Sequence, residues 1–187
     1  MAPEQRGLFI PDLDPDEQPK DSWCTEPAVM EAVHRFWPGG IALDPCSNGH
    51  AVGLGFARAR VAWSKVDDCT KQPTWDVEPF TTCWLQPPYS RQGAPIIADW
   101  ARRWDAGEMH ETLALVRLDT SSASWAALAS RAAGLVLFNR RLSHYSAGVR
   151  VDGSNLCSAM FMMTRSDPRV RRLALQAAVS GLGRCYS

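Results

Sequence analysis

Thr82-Cys83-Trp84-Leu85 reads as a short strand, and the residues after it dictate where that strand must end: Gln86-Pro87-Pro88-Tyr89. Proline fixes φ and carries no N–H, so neither Pro87 nor Pro88 can continue a ladder. The chain therefore turns here, and the Pro87 carbonyl is left without an obvious partner inside the strand. An amide side chain, a lone carbonyl and an aromatic ring are gathered at one strand end. Two acceptors and a ring can grip the –NH2 of a flat heterocycle such as adenine or cytosine. A plain strand-to-loop junction containing Pro-Pro is the alternative at this point.

The rest of the chain supplies the frame for that turn. Thr25-Glu26-Pro27 starts a helix, with Thr25 as cap and apolar residues at Val29, Val33 and Phe36 or Trp37, stopped by Pro38-Gly39-Gly40. Ile41–Pro45 reads as a buried strand ending in Asp44, and a Gly-containing segment follows from Asn48 to Gly55. Arg60–Trp63 reads as a further strand, with Asp67 and Asp68 after it. Ile96–Trp104 is helical in pattern, Thr112–Leu118 is the clearest strand, and Asp119-Thr120-Ser121 is a capping cluster. A helix over Ser124–Ala133, strands at Gly134–Phe138 and Ala159–Met163, and a helix over Pro168–Val179 complete the series. Strands alternating with helices predict an α/β fold: a single, mostly parallel sheet with helices on both faces. Ligands bind such sheets beyond the carboxyl ends of the strands, which is where Asp44, Asp67 or Asp68, Gln86 and Asp119 fall.

The 187 residues suffice for one domain and its core. Residues 1–20, with four prolines and seven charges, read as a flexible arm ahead of a domain over 21–187. No apolar run approaches the roughly 20 residues of a membrane helix. The N-terminus shows no apolar signal region, so no secretion is expected. The six cysteines form no C-x-x-C pair and suit reduced thiols better than a disulfide framework. Cys46 and His50 lie four apart, but no second close pair supports a zinc site, and no metal is expected. His34, His50, His110 and His144 form no constellation along the chain. The zero net charge hides an asymmetry: residues 1–80 hold 7 basic and 13 acidic side chains, residues 81–187 hold 13 basic and 7 acidic. All thirteen are arginine, the residue suited to bidentate phosphate contacts. A solvated arginine-rich surface is the other reading.

In order along residues 21–163, the chain resembles the bacteriophage and prophage DNA adenine (Dam-type) N6-methyltransferases. Asp21-Ser22-Trp23-Cys24-Thr25-Glu26-Pro27 resembles the family's D-x-W-x-T-P opening, with one extra residue before the proline. Leu43-Asp44-Pro45-Cys46-Ser47-Asn48 resembles its first cofactor motif. Trp84–Ser90 resembles its W-x-N-P-P-Y-S catalytic motif. Leu115–Ser121, with Trp125, resembles a later L-V-P-x-D-T-S segment, and Arg140-Arg141-Leu142 a following G-R-L-type turn.

The resemblance implies a Rossmann-like class I methyltransferase that uses S-adenosyl-L-methionine and acts on DNA, double or single stranded, in the cytoplasm of a bacterial or phage-infected cell. Trp23, Thr25, Asp44, Pro45 and Cys46 would border the cofactor, with Asp67 or Asp68 at its ribose or adenine. Gln86, Pro87, Pro88 and Tyr89 would be catalytic. Ser90, Arg91, Asp119, Arg140 and Arg141 would meet the substrate. The family has Asn, Asp or Ser where this chain has Gln86, whose amide reaches about 1.5 Å further, one C–C bond. Three readings of the substitution stand: activity on adenine N6 in a reshaped pocket, activity on cytosine N4 (plain or already modified), or lost activity in a nucleic-acid-binding protein. An amine methyltransferase on protein or a small molecule uses the same Pro-Pro-Tyr chemistry. Pro45-Cys46 resembles the dipeptide of thiolate-dependent cytosine C5-methyltransferases, but it sits at the presumed cofactor strand, and a buried or cofactor-lining thiol is expected instead.

Overall fold

The computed structural model describes residues 23–48, 57–146, 149–151 and 157–187. The arm over 1–20, Asp21, Ser22, His50 and the glycine-containing segment beyond Asn48 lie outside the described residues.

Among the described residues, ten strands and four helices follow one another. They are β1 (Cys24–Thr25), α1 (Pro27–Phe36), β2 (Leu43–Asp44), β3 (Val61–Ala62), β4 (Thr82–Leu85), α2 (Gly93–Ala106), β5 (Glu111–Arg117), α3 (Ala123–Ala129), β6 (Gly134–Phe138), β7 (His144–Ser146), β8 (Val149–Val151), β9 (Ser158–Thr164), α4 (Pro168–Ala178) and β10 (Gly183–Tyr186). A single 3-10 turn, Cys69–Lys71, lies between β3 and β4. Pro27 opens α1 because its missing N–H is unpaired in a first turn anyway. The cap residue is Glu26 rather than Thr25. Thr25 belongs to β1 and turns its hydroxyl to Gln86.

Seven strands form one sheet in the order β10-β6-β9-β5-β4-β2-β3. β3, β2, β4 and β5 are parallel neighbours, whereas β9 runs antiparallel between β5 and β6, and β10 antiparallel to β6. The sheet is therefore mixed, with five strands in one direction and two against it. β9 (Ser158–Thr164) is buried along six of its seven residues, and a strand covered on both faces gives no sign of its direction in sequence. A second sheet was not expected: β1, β7 and β8 form an antiparallel triplet, pairing Thr25 with His144 and Cys24 with Tyr145.

Helices cover both faces of the large sheet. Alternate residues of one strand point to opposite cores, as the pleat requires. Leu113 and Leu115 of β5, with Met160 and Met162 of β9, pack with residues of α1 and α4. Ala114 and Val116, with Phe161 and Met163, pack with residues of α2 and α3. β2 lies between β3 and β4, so the chain order reverses beside it. A crevice opens at such a reversal, at the carboxyl ends of the strands. Among the described residues, no helix is long and apolar enough to cross a membrane.

Candidate active site

A cleft open to solvent lies at that reversal. It is lined by Trp23 with Cys24 and Thr25 of β1, by Asp44 at the end of β2 with Cys46, Ser47 and Asn48 after it, and by Gln86, Pro87, Pro88 and Tyr89 after β4. Three segments far apart in sequence thus share one wall. The Pro-Pro turn is held from behind by α2. A Cβ on Gly93 would meet the Pro88 carbonyl oxygen well inside contact distance, so only glycine admits this approach.

Gln86 does not reach freely into the cleft. Its Oε1 accepts the Thr25 hydroxyl, and its Nε2 donates to the Trp23 carbonyl at 3.3 Å. The Trp23 carbonyl can only accept, which fixes the orientation of the amide. The extra methylene carries the amide across to β1. A carbonyl oxygen has two lone pairs, so Oε1 retains one acceptor site. Among the described residues no donor reaches the Pro87 carbonyl, which leaves a second acceptor one residue along.

Asp44 is buried (4% exposed), and its Oδ1 accepts the Cys46 N–H at 3.1 Å. Burial pushes its carboxyl up to about 7, against the weaker pull of that N–H. Such a group is ready to ionise when a cation arrives beside it. The Cys46 thiol is raised well above its ordinary value, by its hydrogen bond with Cys69 and then by burial. It stays protonated, which argues against a thiolate nucleophile. The Tyr89 hydroxyl is also buried, and its pKa is pushed up to about 12 by desolvation. The Ser158 hydroxyl opposes that shift, yet neither oxygen makes a hydrogen bond of ordinary geometry.

The other sequence-derived residues lie outside this cleft. Pro45 is buried beneath it. Asp67 accepts from the Ser64 N–H and hydroxyl, and Asp68 caps the 3-10 turn through Thr70; neither lines the cleft. Arg140 is ion-paired to the buried Glu26 carboxylate, which also accepts the Ser143 N–H at 2.8 Å. Arg140 therefore ties the segment before β7 to the start of α1. Arg141 and Arg91 are exposed. Ser90 and Asp119 line a second, open cleft on the other side of the Pro87-Pro88-Tyr89 turn, together with Arg117, Ser122 and Trp125. Asp119 Oδ1 is taken by the N–H and hydroxyl of Ser121.

Sequence reasoning missed Ser47, Asn48, Glu26, Arg117 and His144. Ser47 and Asn48 follow directly on Asp44 and were within reach of the motif. Glu26 and His144 join the site only through β1–β7 pairing over more than a hundred residues, which leaves no local signal. Among the described residues no cluster of His, Cys, Asp or Glu has the geometry to hold a metal ion. No known protein family matches this chain, and neither a characterised protein nor a solved structure matches it.

Proposed function

We propose that this chain is a class I, Rossmann-like methyltransferase that transfers a methyl group from S-adenosyl-L-methionine to the exocyclic amine of a DNA base, adenine N6 in the first place. The observation that carries this reading is the single cleft bounded at once by Asp44 and Cys46, by Trp23 and Thr25, and by the Gln86–Tyr89 turn. The residues present suit the cofactor. The buried Asp44 carboxyl suits an amino group, and Trp23, Met30, Ala57 and Trp84 suit an apolar arm. When bound, the sulfonium supplies an electrophilic methyl group.

The chain's own residues would then do the positioning. A base amine is a poor nucleophile because its lone pair is delocalised into the ring. Accepting its two N–H groups, at Gln86 Oε1 and the Pro87 carbonyl, favours a pyramidal nitrogen with a localised pair. Preplaced acceptors stabilise the positive charge that develops there. The Thr25 hydroxyl and Trp23 carbonyl hold Gln86 in place, so little reorganisation is needed on binding. A base in duplex DNA must first leave the stack. The Tyr89 and Trp125 rings offer faces to receive it, and exposed Arg91 and Arg117 lie beside the turn and the second cleft for phosphates.

The test is incubation with unmodified DNA and methyl-labelled S-adenosyl-L-methionine, then digestion and mass spectrometry of the nucleosides. Label on adenine N6 supports the reading. Label on cytosine N4 moves the target to the smaller ring. No label on any base, with no cofactor bound by calorimetry, overturns it in favour of a non-catalytic protein.

A further inference from the structure

His144 takes no part in the chemistry proposed above, yet its side chain is fully buried beside it (0% exposed). It stands opposite Thr25 across the β1–β7 pair. Its ring stacks on Trp23 at 4.9 Å with 21° between planes, and meets Tyr89 edge-on at 5.4 Å and 79°. Trp23 and Tyr89 both line the cleft, and the Trp23 carbonyl and Thr25 hydroxyl hold Gln86. One imidazole therefore backs both the anchor of the amide acceptor and the stacking ring.

Among the described residues, neither ring nitrogen of His144 has a hydrogen-bond partner. A buried polar group left unpaired is costly, and an apolar ring in the same slot would avoid that cost. The ionisable groups around it are Glu26 with its partner Arg140, Tyr89, Cys24 of β1, Tyr145 beside it, and Arg150 opposite Tyr145 on β8. Burial holds its pKa below the ordinary histidine value, and the Glu26 carboxylate opposes this more weakly. A proton on the ring would create a cation with two N–H donors in a slot where the described residues offer no acceptor. The charged ring must leave the slot or draw Glu26 away from Arg140.

We propose that His144 is a positioning residue: as a neutral ring it keeps Trp23 and Tyr89 in place and, through the Trp23 carbonyl, aims the Gln86 amide into the cleft. Its effect on turnover rests on the amino-methyltransferase reading; its effect on the geometry of Gln86 does not.

The test is an NMR titration between about pH 5 and 8 of the full chain, with the Gln86 side-chain amide assigned by comparison with Gln86→Asn. His144 is expected to titrate below the 6.5 of a free histidine, with the Gln86 amide signal moving at the same midpoint. In His144→Phe that movement should be absent. A Gln86 signal that ignores the His144 titration, or moves equally in His144→Phe, overturns the proposal, whether or not the protein methylates anything. In methyl-transfer assays His144→Ala should lower kcat about tenfold or more, with KM for the cofactor nearly unchanged. His144→Phe should recover much of that loss at pH 8 and lack the acid limb of the wild-type profile. A wild-type kcat in His144→Ala overturns the proposal. Absence of both methyl transfer and cofactor binding in the wild-type chain overturns the enzymatic reading instead, and the NMR result then decides the positioning role alone.

Discussion

At the residue scale, burial of the Asp44 carboxyl costs stability wherever it is ionised. Its carboxyl ionises near 7 in the folded chain and near 3.8 when unfolded. Between these values the folded protein keeps a proton that the unfolded chain has released. The stability linked to that proton is complete below about pH 4 and lost as pH rises towards 7, a loss on the order of a few kcal/mol at most. Asp44→Asn should therefore raise the melting temperature more at pH 8 than at pH 5, while weakening S-adenosyl-L-methionine binding at least about tenfold. Scanning calorimetry at the two pH values checks the first part; an equal shift at both would mean that Asp44 ionises normally. Gln86 is a second case. Gln86→Asn cannot span to β1, so the Thr25 hydroxyl and Trp23 carbonyl lose their partner. Denaturant unfolding should show a loss of about 1–2 kcal/mol. A neutral result would indicate that water replaces the amide at no cost.

At the element scale, the Pro87-Pro88 turn depends on how closely α2 approaches it. Gly93 is the first residue of α2 and carries no Cβ against the Pro88 carbonyl. Gly93→Ala must push the turn or the helix aside, with an expected loss of about 1–3 kcal/mol by urea unfolding. Gly39→Ala is the matched control, because nothing lies within 4 Å of its Cβ position, and it should stay within about 0.5 kcal/mol of wild type. Equal effects of the two would remove Gly93 from the support of the turn. Elements of this kind were well marked in the sequence wherever packing repeats along them. β6 falls where its pattern puts it, and α4 ends one residue short of expectation. β1 and β7 were not marked. They are two and three residues long, and their partners stand more than a hundred positions apart, so their stability is tertiary from the outset.

At the scale of the whole molecule, the arginine-rich half is largely spent on the fold. Arg103 joins Asp99 and Glu108, Arg131 joins Asp105, Arg140 joins Glu26, and Arg171 joins the buried Glu111 carboxylate. Arg172 donates to the Ala133 carbonyl, and Arg165 lies over the Trp104 ring. The six surplus positive charges of residues 81–187 thus overstate what is presented to a polyanion. On the proposed reading, DNA binding should depend only shallowly on salt, with a slope of log K against log salt near about −2 for two phosphates. Arg91→Ala and Arg117→Ala should each reduce that slope by about one, as measured by anisotropy of a labelled duplex. A steep wild-type slope would point to a larger basic face than these two residues provide.

By itself the sequence determined the alternation of strands and helices, the helices on both faces of one sheet and the place where the β4 strand must stop. Each of these follows from periodicity or from a property of single residues: the pleat sorts Leu113 from Ala114, and two prolines cannot pair. Tertiary structure alone decided which way β9 and β10 run, that Thr25 serves Gln86 rather than its helix, and that Arg140 pairs with Glu26. It also decided that Asp67 and Asp68 stand apart from the cleft while His144 stands behind it. The reason is physical. A polar side chain has several partners within its reach in any extended chain, and only the packing of distant strands selects one of them.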